Sequence, residues 1–325
     1  MLLDLTAGTS PRRPPMGAAR QLHAWWRRMR RRVAGMHESP YLVFAPGHFY
    51  SPLPDPGFVA AHRQQLFGTV RASLPAIDVN ESQQLRLLEK LGAHADDLPW
   101  QDRPVRGLRY HYGNTQFTYG DAVVLQAMLR LLRPRRVIEV GAGHSSALML
   151  DTADRWLDAG TSFTFIEPYP DRLRALLTAA DTAGPRPRCE VIEQPVQAVP
   201  LERFDELAAG DILFIDSSHV VKIGSDVVHL LTWVLPRLQR GVFVHFHDVF
   251  WPFEYPEPWL REGRAWNECY VLAAFLQYNA AFAIALFNSW LVAFRRAEFA
   301  RHLPLAMRNT GGSLWLEKRG DALRP

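Results

Sequence analysis

Residues 135–146 read Arg-Arg-Val-Ile-Glu-Val-Gly-Ala-Gly-His-Ser-Ser. Val137, Ile138 and Val140 form a short apolar run that suits a parallel strand covered on both faces. Gly141 and Gly143 let the chain turn sharply and come close to a ligand. Ser145 or Ser146 can cap a helix running through Leu150. The N-terminus of that helix offers free backbone N–H groups to a polar or anionic group. The stretch therefore predicts a strand, a tight turn and a helix, with a small ligand held at the turn.

Two ligand classes compete for such a turn. A dinucleotide site wants a third glycine, in the pattern G-x-G-x-x-G, and an acidic residue about 20 residues further on. Ser146 stands at the third position, and the next acid at a strand end, Glu167, comes later. The pattern present is E-x-G-x-G, with the carboxylate of Glu139 two residues before the first glycine. A carboxylate there repels phosphate and suits a cationic or zwitterionic ligand.

Working outward, strand and helix patterns alternate from residue 135 on, which implies a parallel α/β sheet. Strands are expected at 136–140, 162–166, 188–192, 211–215 and 242–246. Later β runs are expected at 282–287 with 290–294, and at 313–317, flanking a helix near 297–307. Open α/β sheets bind ligands beyond the carboxyl ends of their strands. Polar residues stand at or just beyond each of those ends: Glu139, Glu167, Gln194, Asp216, His247 and Asp248. His245 lies deeper in its strand and is expected to be a hydrogen-bonded core residue.

Upstream, 121–132 reads as a helix capped by Asp121 and stopped before Pro134. The segment before it, 110–119, mixes aromatic and amide side chains. Asn114 is a candidate for the ligand pocket. A helix is expected over 80–91, with Asn80 as N-cap and Leu85, Leu88 and Leu91 on one face. The aromatic, proline-containing insert 250–259 is long for a loop in a compact domain and is expected to wall the substrate side.

The 325 residues can bury a sizeable core, and 48% hydrophobic with 22% charged residues is ordinary for a globular chain. No apolar run reaches the length of a membrane span, and residues 1–30 lack the apolar core of a secretory signal. Two cysteines, Cys189 and Cys269, make neither a disulfide framework nor a zinc cluster, so the expected location is the cytoplasm. Of the 37 basic residues, eight arginines lie in residues 1–40, against only Asp4 and Glu38. The remaining 29 basic and 31 acidic residues give the rest of the chain a net charge of −2. The basic character thus belongs to an arm, expected to be partly disordered, and not to the body.

Residues 110–318, with Glu139-x-Gly141-x-Gly143 at their heart, resemble the class I S-adenosylmethionine (SAM)-dependent methyltransferases. The stretches 211–226 and 241–250 resemble a bacterial small-molecule subgroup, similar to macrocin-type and catechol-type O-methyltransferases. The resemblance implies an α/β fold with a Rossmann-like seven-stranded sheet, helices on both faces and a late antiparallel strand. It implies that Glu139, Gly141, Gly143 and Ser145 hold the methionine portion of the cofactor, Glu167 the ribose, and Glu193 or Gln194 the adenine, with Asp216 beside them; Asn114 is the further candidate from the 110–119 segment.

In those families a divalent cation is held by an Asp at the end of strand 4 and an Asp-Asn or Asp-Asp pair after strand 5. The matching places here are Asp216 and His247-Asp248, with His replacing a carboxylate. A metal on Asp216, His247 and Asp248 would polarise an acceptor hydroxyl. The alternative is a metal-free base, His247, His219 or His245, oriented by Asp216 or Asp248. Both stay open at this point.

The expected organisation is an arm over 1–40, a lid or substrate region over 41–118 and a SAM-binding domain over 119–320. The expected function is methyl transfer to a hydroxyl of a small-molecule acceptor. A NAD(P)-dependent oxidoreductase and a non-catalytic binding module are the alternatives. Nucleic acid is not the expected partner, and homo-oligomer formation is left open.

Overall fold

The computed structural model describes residues 44–158, 160–183 and 188–323. The arginine-rich arm lies outside the described residues. The chain divides into two compact units, 1–63 and 64–325. In the first, a short helix, Pro56–Ala61, is capped by Asp55, whose carboxylate accepts from the Gly57 N–H at 2.8 Å.

In the second unit one seven-stranded sheet has the order β3-β2-β1-β4-β5-β7-β6. The strands are β1 (Arg136–Val140), β2 (Ser162–Ile166), β3 (Cys189–Ile192), β4 (Ile212–Ile215), β5 (Phe243–Phe246), β6 (Phe282–Phe287) and β7 (Leu314–Lys318). β1 to β5 are parallel, and β7 runs antiparallel to both β5 and β6. All four residues of β4 are buried, as a strand covered on both faces requires.

The helices used below are α1 (Glu81–Gly92), α2 (Tyr119–Leu132), α3 (His144–Trp156), α4 (Asp171–Leu176), α5 (Asp226–His229) and α6 (Glu268–Leu276). Strand order reverses between β1 and β4, so the crevice of this sheet opens beyond their carboxyl ends.

Four local expectations differ from the structure. Residues 288–294 form a helix directly after β6, not a strand. The Trp290–Phe294 run buries Trp290 and Leu291 against the core, and burial overrides its β-forming composition. The helix expected near 297–307 covers Arg296–His302 and then tightens into a 3₁₀ turn at Pro304–Arg308.

Asn80 precedes α1 in left-handed backbone with no capping bond, and its amide instead donates to the Ile284 carbonyl at 2.9 Å. Asp121 is not a cap. It sits buried inside the first turn of α2 and accepts from the Gly312 N–H (3.0 Å) and the Ser313 hydroxyl (2.6 Å).

The expected lid region also has a structural anchor. Gln84 on α1 accepts from the Phe287 N–H at 2.8 Å, and the Trp290 indole donates to the Ala72 carbonyl at 2.9 Å. Residues 72–92 thus hold the β6 edge of the sheet, far in strand order from the β1–β4 crevice.

Candidate active site at the carboxyl ends of the strands

Close packing dictates the turn after β1. Gly141 has φ +84°, and a Cβ there would stand 1.7 Å from the Asp216 carbonyl oxygen. Only glycine lets β1 and β4 emerge this close together. The ladder continues past the strands, with Gly141 N–H bonded to the Ile166 carbonyl, Asp216 N–H to Val140 and His247 N–H to Ile215. The tips of β1, β2, β4 and β5 therefore lie side by side.

Glu139 is fully buried, and its two carboxylate oxygens accept from the Ser145 and Ser146 hydroxyls. Ser146 also accepts from the Gly143 N–H at 2.9 Å. The serines tie the turn to β1, while Gly143 itself occupies the N-cap position of α3. Burial pushes the Glu139 carboxyl up to about 8 against the pull of both hydroxyls, and the charges of Asp216 and Glu167 add to the rise.

Glu167 accepts from the Ala142 N–H (3.1 Å) and the Tyr169 N–H (2.8 Å), which poises a half-exposed carboxylate over the glycine turn. Gln194 is exposed just beyond β3. Asn114 has its amide committed inside its own loop. It donates to the carbonyls of His111 and Phe117 and accepts from the N–H groups of Gln116 and Phe117. It shapes residues 111–117 and has no free polar atom to offer a cofactor.

His219 is the best-connected side chain of the crevice. Its Nδ1 lies 2.9 Å from Glu268 Oε2. Its Nε2 lies 3.4 Å from Asp216 Oδ1 and 3.9 Å from Asp248 Oδ2. The loop carrying it is clamped from two sides. Asp226, in the first turn of α5, accepts from the Ser218 N–H and hydroxyl. Asn267, before α6, accepts from the Val221 N–H, and the His219 carbonyl accepts from the N–H groups of Asn267 and Glu268.

His219 and Asp248 both hold left-handed backbone, with φ of +58° and +56°. Such conformations cost about 1–2 kcal/mol outside glycine and concentrate at functional sites. Burial opposes a charge on His219, but hydrogen bonds to Asp216 and Glu268, and their charges, outweigh it and raise its pKa to about 10.

His247 is buried, with its Nε2 3.6 Å from Asp248 Oδ1 and its ring 5.1 Å from that of Phe117. Burial opposes its charge, yet the surrounding Asp216, Asp248 and Asp121 raise its pKa. Asp216 is held below its usual range, since His247 and His219 overcome the effect of burial. His245 is fully buried and stacks on Phe214 at 3.9 Å, but neither ring nitrogen has a hydrogen-bond partner. The expected hydrogen-bonded core histidine is instead a stacked one, and burial drives its pKa well down.

The metal expectation does not find its geometry. Among the described residues no group of three or more His, Cys, Asp or Glu side chains is disposed to hold a metal ion. The His219 imidazole faces both Asp216 and Asp248, and the expected third ligand, His247, turns only Nε2 toward Asp248.

Sequence reasoning missed Glu268. It is 49 residues from His219, and no spacing links them. The one available signal was an Asn-Glu pair opening a helix directly after the aromatic insert.

A family model described as a methyltransferase domain matches residues 138–249. An uncharacterized protein of Archaeoglobus fulgidus is 34% identical over 170 residues, covering 51% of this chain and 74% of the relative. The O-methyltransferase TomG from Streptomyces achromogenes, solved with SAM, is 16% identical, with 81% of this chain and 96% of that one covered and a TM-score of 0.41. The SAH-bound methyltransferase PaMTH1 of Podospora anserina is 15% identical over 81% and 95% of the two chains, also at 0.41. These two structures are likenesses only. The chain belongs to the class I SAM-dependent methyltransferases. It is an enzyme whose cofactor is SAM, and the dinucleotide and non-catalytic readings are set aside. No described helix is long and apolar enough to cross a membrane.

Proposed function

We propose that the enzyme methylates a hydroxyl oxygen of a small-molecule acceptor, and that His219, oriented by Glu268, takes the hydroxyl proton. The observation that carries this reading is the His219–Glu268 bond at 2.9 Å, which points Nε2 toward Asp216 and Asp248 at the strand tips. SAM, when bound, supplies an electrophilic methyl group on a sulfonium. The residues present fit it: a glycine turn, the Glu167 carboxylate suited to ribose hydroxyls, Asp216 beside them and exposed Gln194 near the adenine end. The chain's remaining task is positioning, water exclusion and removal of one proton. Asp248 lies 3.9 Å from His219 Nε2 and 3.6 Å from His247 Nε2, so its carboxylate bridges the two rings. No step is assigned to a metal.

The raised pKa of His219 sets a pH dependence. A base works only when deprotonated, so the active fraction grows as pH rises toward the folded-state value of about 10. Initial rates on a hydroxyl-bearing acceptor are expected to climb through neutral and mildly alkaline pH. A histidine of ordinary pKa, about 6.5, would have levelled off by about pH 7.5. A flat profile above neutrality would remove His219 from the role. The direct assay is transfer of an isotope-labelled methyl group from SAM to oxygen, located by mass spectrometry.

A further inference from the structure

The turn before β7 ties the first turn of α2 to the backbone beyond β5. Asp121 is buried, and its Oδ1 accepts both the Gly312 N–H (3.0 Å) and the Ser313 hydroxyl (2.6 Å). Beside it the Gly120 N–H donates to the Asn309 carbonyl at 2.7 Å. Gly311 holds left-handed backbone, with φ +71°, and a Cβ there would stand 2.2 Å from Asp121 Oδ1. Only glycine lets the turn close on this carboxylate.

The far side of the same turn meets Asp248. The Gly312 carbonyl accepts from the Val249 N–H at 2.9 Å. A Cβ on Gly312 would stand 3.0 Å from Asp248 Cα and 2.7 Å from the Phe250 ring. Asp248 is held at φ +56°, and outside glycine such a conformation persists only where the surroundings over-determine it. Its carboxylate is the one that stands between the His219 and His247 rings.

We propose that Asp121 is a positioning residue for the methyl transfer: by anchoring the Gly312–Ser313 backbone it fixes Asp248 in its left-handed conformation, and so holds the Asp248 carboxylate at His219. Burying a carboxylate is costly, and the two charge-assisted bonds that offset the cost hold the turn more stiffly than neutral ones would. A competing route is electrostatic, because the charge of Asp121 also helps raise the His247 pKa. The two routes separate at Asp121→Asn, whose amide oxygen can take the same two bonds without the charge.

This inference rests on the reading of Asp248 and His219 as the chemical centre, and it is tested with and without turnover. Crystals of the full chain with S-adenosylhomocysteine are compared for wild type, Asp121→Asn and Asp121→Ala. The Asp248 Oδ2 to His219 Nε2 separation of 3.9 Å is expected to persist in Asp121→Asn and to lengthen by about 1 Å or more in Asp121→Ala. Turnover is measured on the acceptor that wild type methylates best in a panel of alcohols and phenols. Asp121→Ala is expected to lower kcat by about 10–100-fold, with S-adenosylhomocysteine affinity by calorimetry unchanged. Asp121→Asn is expected to keep most of the rate. Ser313→Ala removes one donor and spares the other, so it should fall between them, and it serves if Asp121→Ala does not fold.

An Asp248 carboxylate in its wild-type place in the folded alanine variants would overturn the inference. Equal loss of rate in Asp121→Asn and Asp121→Ala would overturn it too, by assigning the effect to charge. So would weakened S-adenosylhomocysteine binding with kcat retained, which would assign the residue to the cofactor. If wild type methylates nothing in the panel, the crystals decide: a displaced Asp248 would support the positioning role while the hydroxyl reading loses its support.

Discussion

Replacing His219 by alanine is expected to lower the turnover rate by about 10²–10⁴, the usual contribution of a positioned general base, with little change in cofactor affinity. The side chain is buried, its Nδ1 is bonded to Glu268, and its Nε2 faces two carboxylates. Removing it leaves Glu268, itself fully buried, without its partner, so thermal denaturation must accompany the kinetics. Glu268→Gln separates the two contributions, because the amide keeps the shape and loses the charge. Since that charge helps raise the His219 pKa, its loss should move the rise of the pH profile toward lower pH and cost less rate than His219→Ala. Stopped turnover with intact S-adenosylhomocysteine binding would support the role. Wild-type rates in a folded His219→Ala would exclude it.

The second large effect is on stability. Arg109 is the hub of a buried ionic cluster that fastens the segment before α2 to α3. Its guanidinium pairs with Asp151 at 2.9 Å, Asp154 at 2.8 Å and Asp181 at 2.5 Å. The Asp151 and Asp181 side chains are only 1% and 2% exposed, so neither can turn to water. Asp151 also accepts from the Trp100 indole and from the N–H groups of Arg109 and Tyr110.

Arg109→Ala strands two buried carboxylates, a change that typically costs about 3–5 kcal/mol. Denaturant unfolding at neutral pH should show a loss of that size. The sign with pH follows from Asp181. Burial pushes its pKa up, but Arg109 and Thr178 bond it and hold the folded value below the ordinary one. Its stabilisation is present above the unfolded carboxylate value of about 3.9 and is lost as pH falls through the lower folded value. The gap between wild type and variant should therefore narrow on acidification. A loss under about 1 kcal/mol would show that the cluster does no more than a surface pair.

How far the residues alone reached can be seen at particular positions. The five parallel strands were legible to within a residue at each end, because a buried parallel strand is a local apolar run and the glycine turn after it is a local constraint. The polar residues at their ends followed from the same registers. The run 290–294 favours strands by composition, and burial of Trp290 and Leu291 in the core goes with its place in a helix instead. Asp121 was misread as a cap because its partners, Gly312 and Ser313, are about 190 residues away.

What the sequence determined by itself is the five parallel strands and the turn at Gly141, since each depends on neighbours along the chain. The tertiary structure alone decided which polar groups meet. It turned Glu139 inward onto two serines, committed Asn114 to its own loop, and brought Glu268 and Trp266 against His219. The last of those encounters joins segments after β4 and β5, and no periodicity in a chain encodes the distance between residues that only folding makes adjacent.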